Sequence, residues 1–469
     1  MSVETVGDLV KDSDPGPLST IEAELIDDNI YVIHRKIYIM RAINSFNNIW
    51  LGWSPLKQPS SSRPKALVLR VNKDASTLQH YTYLAQRTPP VPVKLTVDLG
   101  SEFLWVDCDT GFKSTTKTTV PCRSPQCELS GSNVCTSNGI DEFCSEFPYN
   151  PFIKTSSGGD FSQDVLYSQS TDGNNPGELV SVPKFLFSCA STSLLEGLEN
   201  RAVGIAGLGR NKVSIPSLFS SAFSFPRKFA LCLSSSTNPD AAGVVFLGDG
   251  PYVFLPGIDM SQSLTYTPLI LNPVGTRGGY FPGEPSAEYF VGVKSIRVNG
   301  KAVPLNTSLL SIDRHGVGGT KISTVDPYSV LEASIYKAVV AAFLKALPKN
   351  VARFSPVAPF RECFSTKNIV PTRLGPSVPT IDLVFQSEKV YWSIYGTNSM
   401  VSVNNDSVLC LGFVDGGVKP TTSIVMGGHQ IEGNLLQFDL AASRFGFSGS
   451  LNSRQTTCSN FNFTSTGKI

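Results

Sequence analysis

Val93-Lys94-Leu95-Thr96-Val97-Asp98-Leu99-Gly100, followed at once by Phe103-Leu104-Trp105-Val106, is the stretch on which the fold turns. It reads as an apolar strand that delivers a carboxylate into a glycine turn, with a second apolar strand leaving that turn. A related landmark returns much later as Gly319-Thr320-Lys321-Ile322-Ser323-Thr324-Val325, with serine in place of the aspartate. Each is followed, at nearly the same distance along the chain, by apolar residues running into glycine: Ile205-Ala206-Gly207-Leu208-Gly209 after the first, and Ile424-Val425-Met426-Gly427-Gly428 after the second. Two landmarks repeated in one order predict two homologous β lobes. The glycines are expected where a neighbouring strand passes too close for a β-carbon.

The rest of the chain agrees with an all-β reading. Short β-rich runs at 66–71, 184–187 and 243–247 are separated by Gly, Pro, Asn and Ser, and the 469 residues include 39 Gly and 32 Pro. Helices are few. The clearest is expected over 330–347, where Val330, Leu331, Ile335, Val339, Phe343 and Leu347 follow a period near 3.6 up to Pro348. A short one should follow Pro216, with Leu218 and Phe219 turned inward. The boundaries expected are an atypical leader over 1–62, a first lobe over 63–255 and a second over 256–469, with the crossover between 250 and 266. The leader lacks a basic segment followed by an unbroken apolar run and a small-residue cleavage site, and reads as disordered or mis-joined rather than as part of the fold.

Charge excludes some functions. With 39 basic and 38 acidic side chains the net charge is +1, so no global field holds a polyanion and nucleic-acid binding is not expected. No uncharged apolar stretch reaches the roughly 18 residues that span a bilayer, so no membrane role is expected either. The ten cysteines are Cys108, Cys122, Cys127, Cys135, Cys144, Cys189, Cys232, Cys363, Cys410 and Cys458. The first five crowd a Ser/Thr/Gly-rich stretch without a Cys-x-x-Cys pair, and His34, His80, His315 and His429 are not spaced as metal ligands with them. Disulfides are therefore expected, with no metal and no cofactor. Asn-x-Ser/Thr triplets at Asn306, Asn405 and Asn462 are glycosylation candidates that agree with an extracellular location.

Asp98-Leu99-Gly100 with Phe103-Leu104-Trp105-Val106, and the closing Met426-Gly427-Gly428-His429-Gln430, Gln437-Phe438-Asp439-Leu440 and Arg444-Phe445-Gly446-Phe447, resemble the active-site strand and carboxy-lobe signature of pepsin-like aspartic proteases. More narrowly, Arg63-Pro64-Lys65-Ala66-Leu67, Lys73-Asp74-Ala75-Ser76-Thr77-Leu78 and Val106-Asp107-Cys108-Asp109 resemble the plant xyloglucan-specific endoglucanase inhibitor, extracellular dermal glycoprotein and basic 7S globulin group. The likeness runs from Arg63 to Thr464. It implies a bilobal all-β fold around a central cleft and a Cys363–Cys410 bridge in the second lobe. Fold alone does not give function.

Aspartic proteolysis uses two carboxylates about 3 Å apart that share one proton. Alignment with the family pattern sets Asp98 at the first position and Ser323 at the second, and serine cannot share that proton. Leu99 also replaces a hydroxyl that would brace the dyad, and Val325 replaces a glycine. Asp326 is the alternative second carboxylate. Three residues of extended chain cover roughly 10 Å and end on the opposite face, which argues against it. A flap tyrosine is expected near 151–159, where Tyr149 is the near candidate. No Gly-x-Ser-x-Gly, His-Glu-x-x-His or Walker loop is present.

The resemblance then implies a catalytically silent scaffold whose partner is a secreted microbial glycoside hydrolase. Such enzymes carry paired carboxylates in an open cleft, so a protruding cationic loop suits the task. The loop 416–422 is the expected inhibitory element. The resemblance implies an arginine at the position that matches Thr421 here, with Lys419 two residues before it, and Arg353, Arg361 and Arg373 are further candidates. Two alternatives stand beside inhibition. One is residual endopeptidase activity through Asp98, and the other a storage or peptide-ligand-binding role of the basic 7S globulin type.

Overall fold

The computed structural model describes residues 63–275, 284–404 and 406–464, together with the backbone of three short strands nearer the amino terminus. Those three, Glu24–Asp27, Ile30–Ile33 and Lys36–Ile39, form an antiparallel meander within a separate unit that runs to Gln58. The remainder of the 1–62 segment lies outside the described residues. From Pro59 onward the chain is one compact unit.

Its backbone is a six-stranded antiparallel sheet to which each half of the chain gives three strands. In order they are Ala66–Lys73, Gly243–Gly248, Lys228–Cys232, Asn434–Asp439, Arg444–Ser450 and Thr265–Ile270. Val244, Val245, Phe246 and Leu247 are all buried, which is why the sequence there is continuously apolar instead of alternating. The halves meet along Lys228–Cys232 and Asn434–Asp439, where Phe229 faces Phe438 in register with stacked rings 4.8 Å apart. The chain crosses from the first trio to the second between Gly248 and Thr265.

Above this sheet each half repeats one arrangement. In the first, Val91–Asp98 runs parallel to Gly204–Gly207, which is antiparallel to Trp105–Asp107, which in turn runs parallel to the end of Pro176–Ala190. In the second, Thr320–Ile322 runs parallel to Ile424–Met426, which is antiparallel to Ser329–Leu331, itself parallel to Phe413–Asp415. The paired glycines sit where expected. A β-carbon on Gly207 would lie 2.2 Å from the Phe103 carbonyl oxygen, and one on Gly427 would lie 2.4 Å from the Tyr328 carbonyl carbon.

One expected element is shorter than its period suggests. The long helix spans Ala333–Ala346, because Val330 and Leu331 belong to the strand Ser329–Leu331. Glu332 caps it by accepting from the Ser334 and Ile335 amides, and Ile335, Val339 and Phe343 form its buried stripe. The short helix Ile215–Phe223 buries Phe219 fully and Leu218 in part.

All ten cysteines are bridged: Cys108–Cys189, Cys122–Cys135, Cys127–Cys144, Cys232–Cys458 and Cys363–Cys410. The crowded stretch thus holds two bridges of its own and sends Cys108 to the strand that pairs with Trp105–Asp107. Cys232–Cys458 ties the carboxy-terminal tail to the central sheet, where Leu451, Cys458 and Phe461 pack against Val68, Phe246 and Phe254.

Candidate functional site

The two landmark turns face each other through a one-sided clasp. Asp98 ends its strand opposite Gly207; Ile322 is opposite Met426, and the Ser323 amide donates to the Met426 carbonyl. Ser323 therefore occupies, next to Gly427, the place that Asp98 holds next to Gly207. Asp98 is 1% exposed and Ser323 7%. An Asp98 carboxylate oxygen accepts the Gly100 amide at 2.8 Å. From the second turn, Thr324 Oγ1 accepts the Leu99 amide at 3.1 Å and donates to the Val97 carbonyl at 2.9 Å. Leu99, the counterpart of Thr324, has no hydroxyl to return these bonds.

Asp326 departs from the extended-chain expectation. Ser323 Oγ accepts from the amides of Val325 and Asp326, and these bonds bend the chain sharply after Ile322. The bend brings Asp326 Oδ2 to 3.2 Å from Ser323 Oγ, where it accepts the serine hydroxyl. The carboxylate therefore lies beside the serine rather than on an opposite face. Tyr149 opens a small hairpin with Thr155–Ser156, and the following Asn150 anchors it by donating to the Leu194 and Glu196 carbonyls.

The loop candidates divide by whether their charge is already paired. Arg353 pairs with Glu362, and Arg361 lies 3.3 Å from Asp415. Lys419, Thr421 and Arg373 are exposed, and Lys419 and Arg373 have no ion pair among the described residues. Lys419 is held at φ 59°, at the tip of the 416–422 turn. Asn306 is exposed and its side chain caps the turn Thr307–Leu310, while Asn462 accepts from the Thr464 amide and hydroxyl. Asn405 lies outside the described residues.

Two family models match the halves in order, xylanase inhibitor N-terminal over residues 80–249 and xylanase inhibitor C-terminal over 288–449. The chain is 56% identical to "Probable aspartic proteinase GIP2" of Nicotiana benthamiana, over 91% of this chain and 98% of that one. It belongs to the xylanase-inhibitor-type family of aspartic-proteinase-like proteins. Among solved structures, edgp matches with TM-score 0.84 and 57% identity, over 86% of this chain and all of that one. Conglutin gamma, a basic 7S globulin from lupine seeds, matches with TM-score 0.74 and 35% identity over the same share of this chain.

This member of the xylanase-inhibitor-type family also carries a buried polar cluster that the sequence reading missed. Lys73 and His80, from the first hairpin, converge on Glu432, which follows the second glycine landmark. Lys73 Nζ is 2.8 Å and His80 Nε2 3.3 Å from Glu432 Oε1, and both His80 and Glu432 are 1% exposed. Burial alone would push the Glu432 carboxyl up, but His80, Lys73 and His429 together outweigh it and hold the group at about 2. His429 is itself pushed down by burial, against the pull of Glu432. The available signal was His80, a histidine opening the half-apolar strand His80–Gln86; Glu432, just past the short helix Gly428–Ile431, carried none.

Glu146 is the opposite case. Burial pushes its carboxyl up to about 8, only partly offset by a Ser130 hydrogen bond, with Glu102 and Glu284 adding to the rise. A raised folded value leaves stability intact below the unfolded value, near 4.5, and removes it as pH climbs through about 8. Glu146→Gln is thus expected to match the parent near pH 4 and to exceed it by up to about 3 kcal/mol near neutrality. Urea unfolding at the two pH values measures the difference, and an equal effect at both would contradict it.

Proposed function

We propose that the protein is a catalytically silent aspartic-proteinase-like scaffold that binds and inhibits cell-wall glycoside hydrolases outside the cell. The observation that carries the reading is Ser323 in the register position of the second carboxylate. A shared proton needs two ionisable groups there, and a serine hydroxyl donating to Asp326 supplies none. The first carboxylate remains as a structural acceptor beneath the Gly100 amide. Both family models are of xylanase inhibitors, which supports a glycoside hydrolase as the partner. Five disulfides suit an oxidising, extracellular setting.

The expected result is no cleavage of a denatured protein substrate at acid pH by the oxidised chain. A statine-type inhibitor or Asp98→Asn should leave that background unchanged. The contact between Asp326 and Ser323 favours one second reading, a residual endopeptidase in which Asp326 stands in for the missing carboxylate. Cleavage abolished by both Asp98→Asn and Asp326→Asn would establish that reading and sink the silent scaffold.

A further inference from the structure

The turn that joins Asn434–Asp439 to Arg444–Ser450 gathers more basic side chains than acids to match them. Asp439 is fully committed: its Oδ2 lies 3.0 Å from Arg444 Nε and 3.5 Å from Lys228 Nζ, and its Oδ1 accepts the Ala442 amide at 3.0 Å. Asp249 takes the other contact of Lys228, at 2.8 Å. Arg210 and Arg227 reach the same turn and have no ion pair among the described residues. Arg227 meets it through its backbone carbonyl, which accepts the Leu440 and Ala441 amides at 3.0 and 3.2 Å. Arg210 meets it through its side chain, whose Nη2 donates to Ser443 Oγ at 3.3 Å.

The deciding atom is Arg210 Nη1, which is withdrawn from water and has no hydrogen-bond partner. A charged N–H left unmet costs more than a neutral one, so native structures satisfy such groups with a counter-ion or a water. The backbone beneath it is fixed, because the Arg210 amide donates to the Ala287 carbonyl at 2.7 Å. The charges of Arg210 and Arg227 both act on the buried Tyr289 phenol, which burial pushes up and the two guanidiniums pull back. Burial pushes the Arg210 guanidinium itself down, Tyr289 acts the other way, and the like charge of Arg227 adds to the fall. The Tyr289 hydroxyl is spent on the Leu208 carbonyl at 2.7 Å. Exposed Ser443 accepts from Arg210 and keeps its own hydroxyl hydrogen to give.

We propose that Arg210, Arg227 and the Ser443 hydroxyl form a binding site for a small tetrahedral oxyanion, a phosphate or sulfate group either free or carried as a sugar ester. The planar arginine fork makes paired hydrogen bonds to such a group. Two unpaired guanidiniums call for close to two negative charges and several acceptor oxygens, which a phosphate brings and a single carboxylate does not. Arg210 and Arg227 belong to the first half of the chain and Ser443 to the second, so the bound anion also ties the halves together. The site does not depend on hydrolase binding.

The test is calorimetric titration of the full oxidised chain with inorganic phosphate, sulfate and glucose 6-phosphate, with chloride matching the ionic strength. Saturable binding is expected, with a rise in thermal midpoint beyond that in chloride. Arg210→Gln and Arg227→Gln should each raise Kd by about tenfold or more, the loss of one charged hydrogen bond, and Ser443→Ala by about threefold. Equal affinity for phosphate and the ester identifies a free-anion site, and tighter binding of the ester identifies a sugar phosphate; both support the proposal. In chloride alone Arg227→Gln should unfold at or above the parent midpoint, since it breaks no ion pair among the described residues and relieves a like charge. No saturable binding of any of the three anions by the parent shows that water alone meets Arg210 Nη1 and overturns the proposal. So does a parent-like Kd in both arginine variants.

Discussion

Glu432→Gln is expected to destabilise the protein by about 3–5 kcal/mol near neutral pH, the range for breaking a buried ion pair by removing one partner. Glutamine keeps the volume but leaves the Lys73 ammonium beside a neutral group, at a place where Lys73 and Glu432 are both largely withdrawn from water. The effect should depend on pH with a definite sign. The folded carboxyl titrates at about 2 against an unfolded value near 4.5, so its contribution is fully present above about pH 4.5 and lost as pH falls through about 2. The gap between parent and variant should therefore shrink by about 3 kcal/mol across that window. Guanidinium unfolding across the acid range measures it. A gap that stays constant with pH would show that Glu432 packs rather than pairs. Because Lys73 and His80 come from the first lobe and Glu432 from the second, a fall in cooperativity of the variant's transition is a further expectation.

Removal of Cys232–Cys458 by paired alanine substitution should cost about 5 kcal/mol, against about 3 kcal/mol for Cys122–Cys135, on a chain-entropy account of the loops closed. The first bridge closes 226 residues and the second 13. The long bridge also holds Phe461 against Phe246 and Phe254 in the core behind the central sheet. Urea unfolding of the two double variants under one set of conditions gives the comparison. Equal costs, or the reverse order, would mean that tail packing fixes the carboxy terminus without help from the bridge.

The lobes were legible because the constraint that makes them is local and repeated. A strand must run into a turn at Asp98 and at Ser323, and a crossing strand must lack a β-carbon at Gly207 and at Gly427. Both leave a mark within a few residues. The start of the long helix was not legible, because Val330 and Leu331 satisfy helical and strand periods alike, and only pairing with Ile424–Met426 decides between them. The Asp326 bend was misjudged for a related reason. Sequence offers no sign that Ser323 Oγ will collect two amides and fold the chain back on itself. The Lys73, His80 and Glu432 cluster could not be foreseen by spacing, since its members lie at opposite ends of the folded chain. The loop candidates were visible as charges, but their pairing was not: Glu362 and Asp415 engage two of the arginines before any partner arrives.

The proposed hydrolase binding is measured most directly by a titration of fungal xyloglucan-specific endoglucanase activity with the purified, oxidised protein. A break near one-to-one stoichiometry is expected, with inhibition that survives removal of free protein. Full activity at micromolar excess, repeated with a microbial xylanase, would contradict it and favour the alternative of a storage or peptide-binding role.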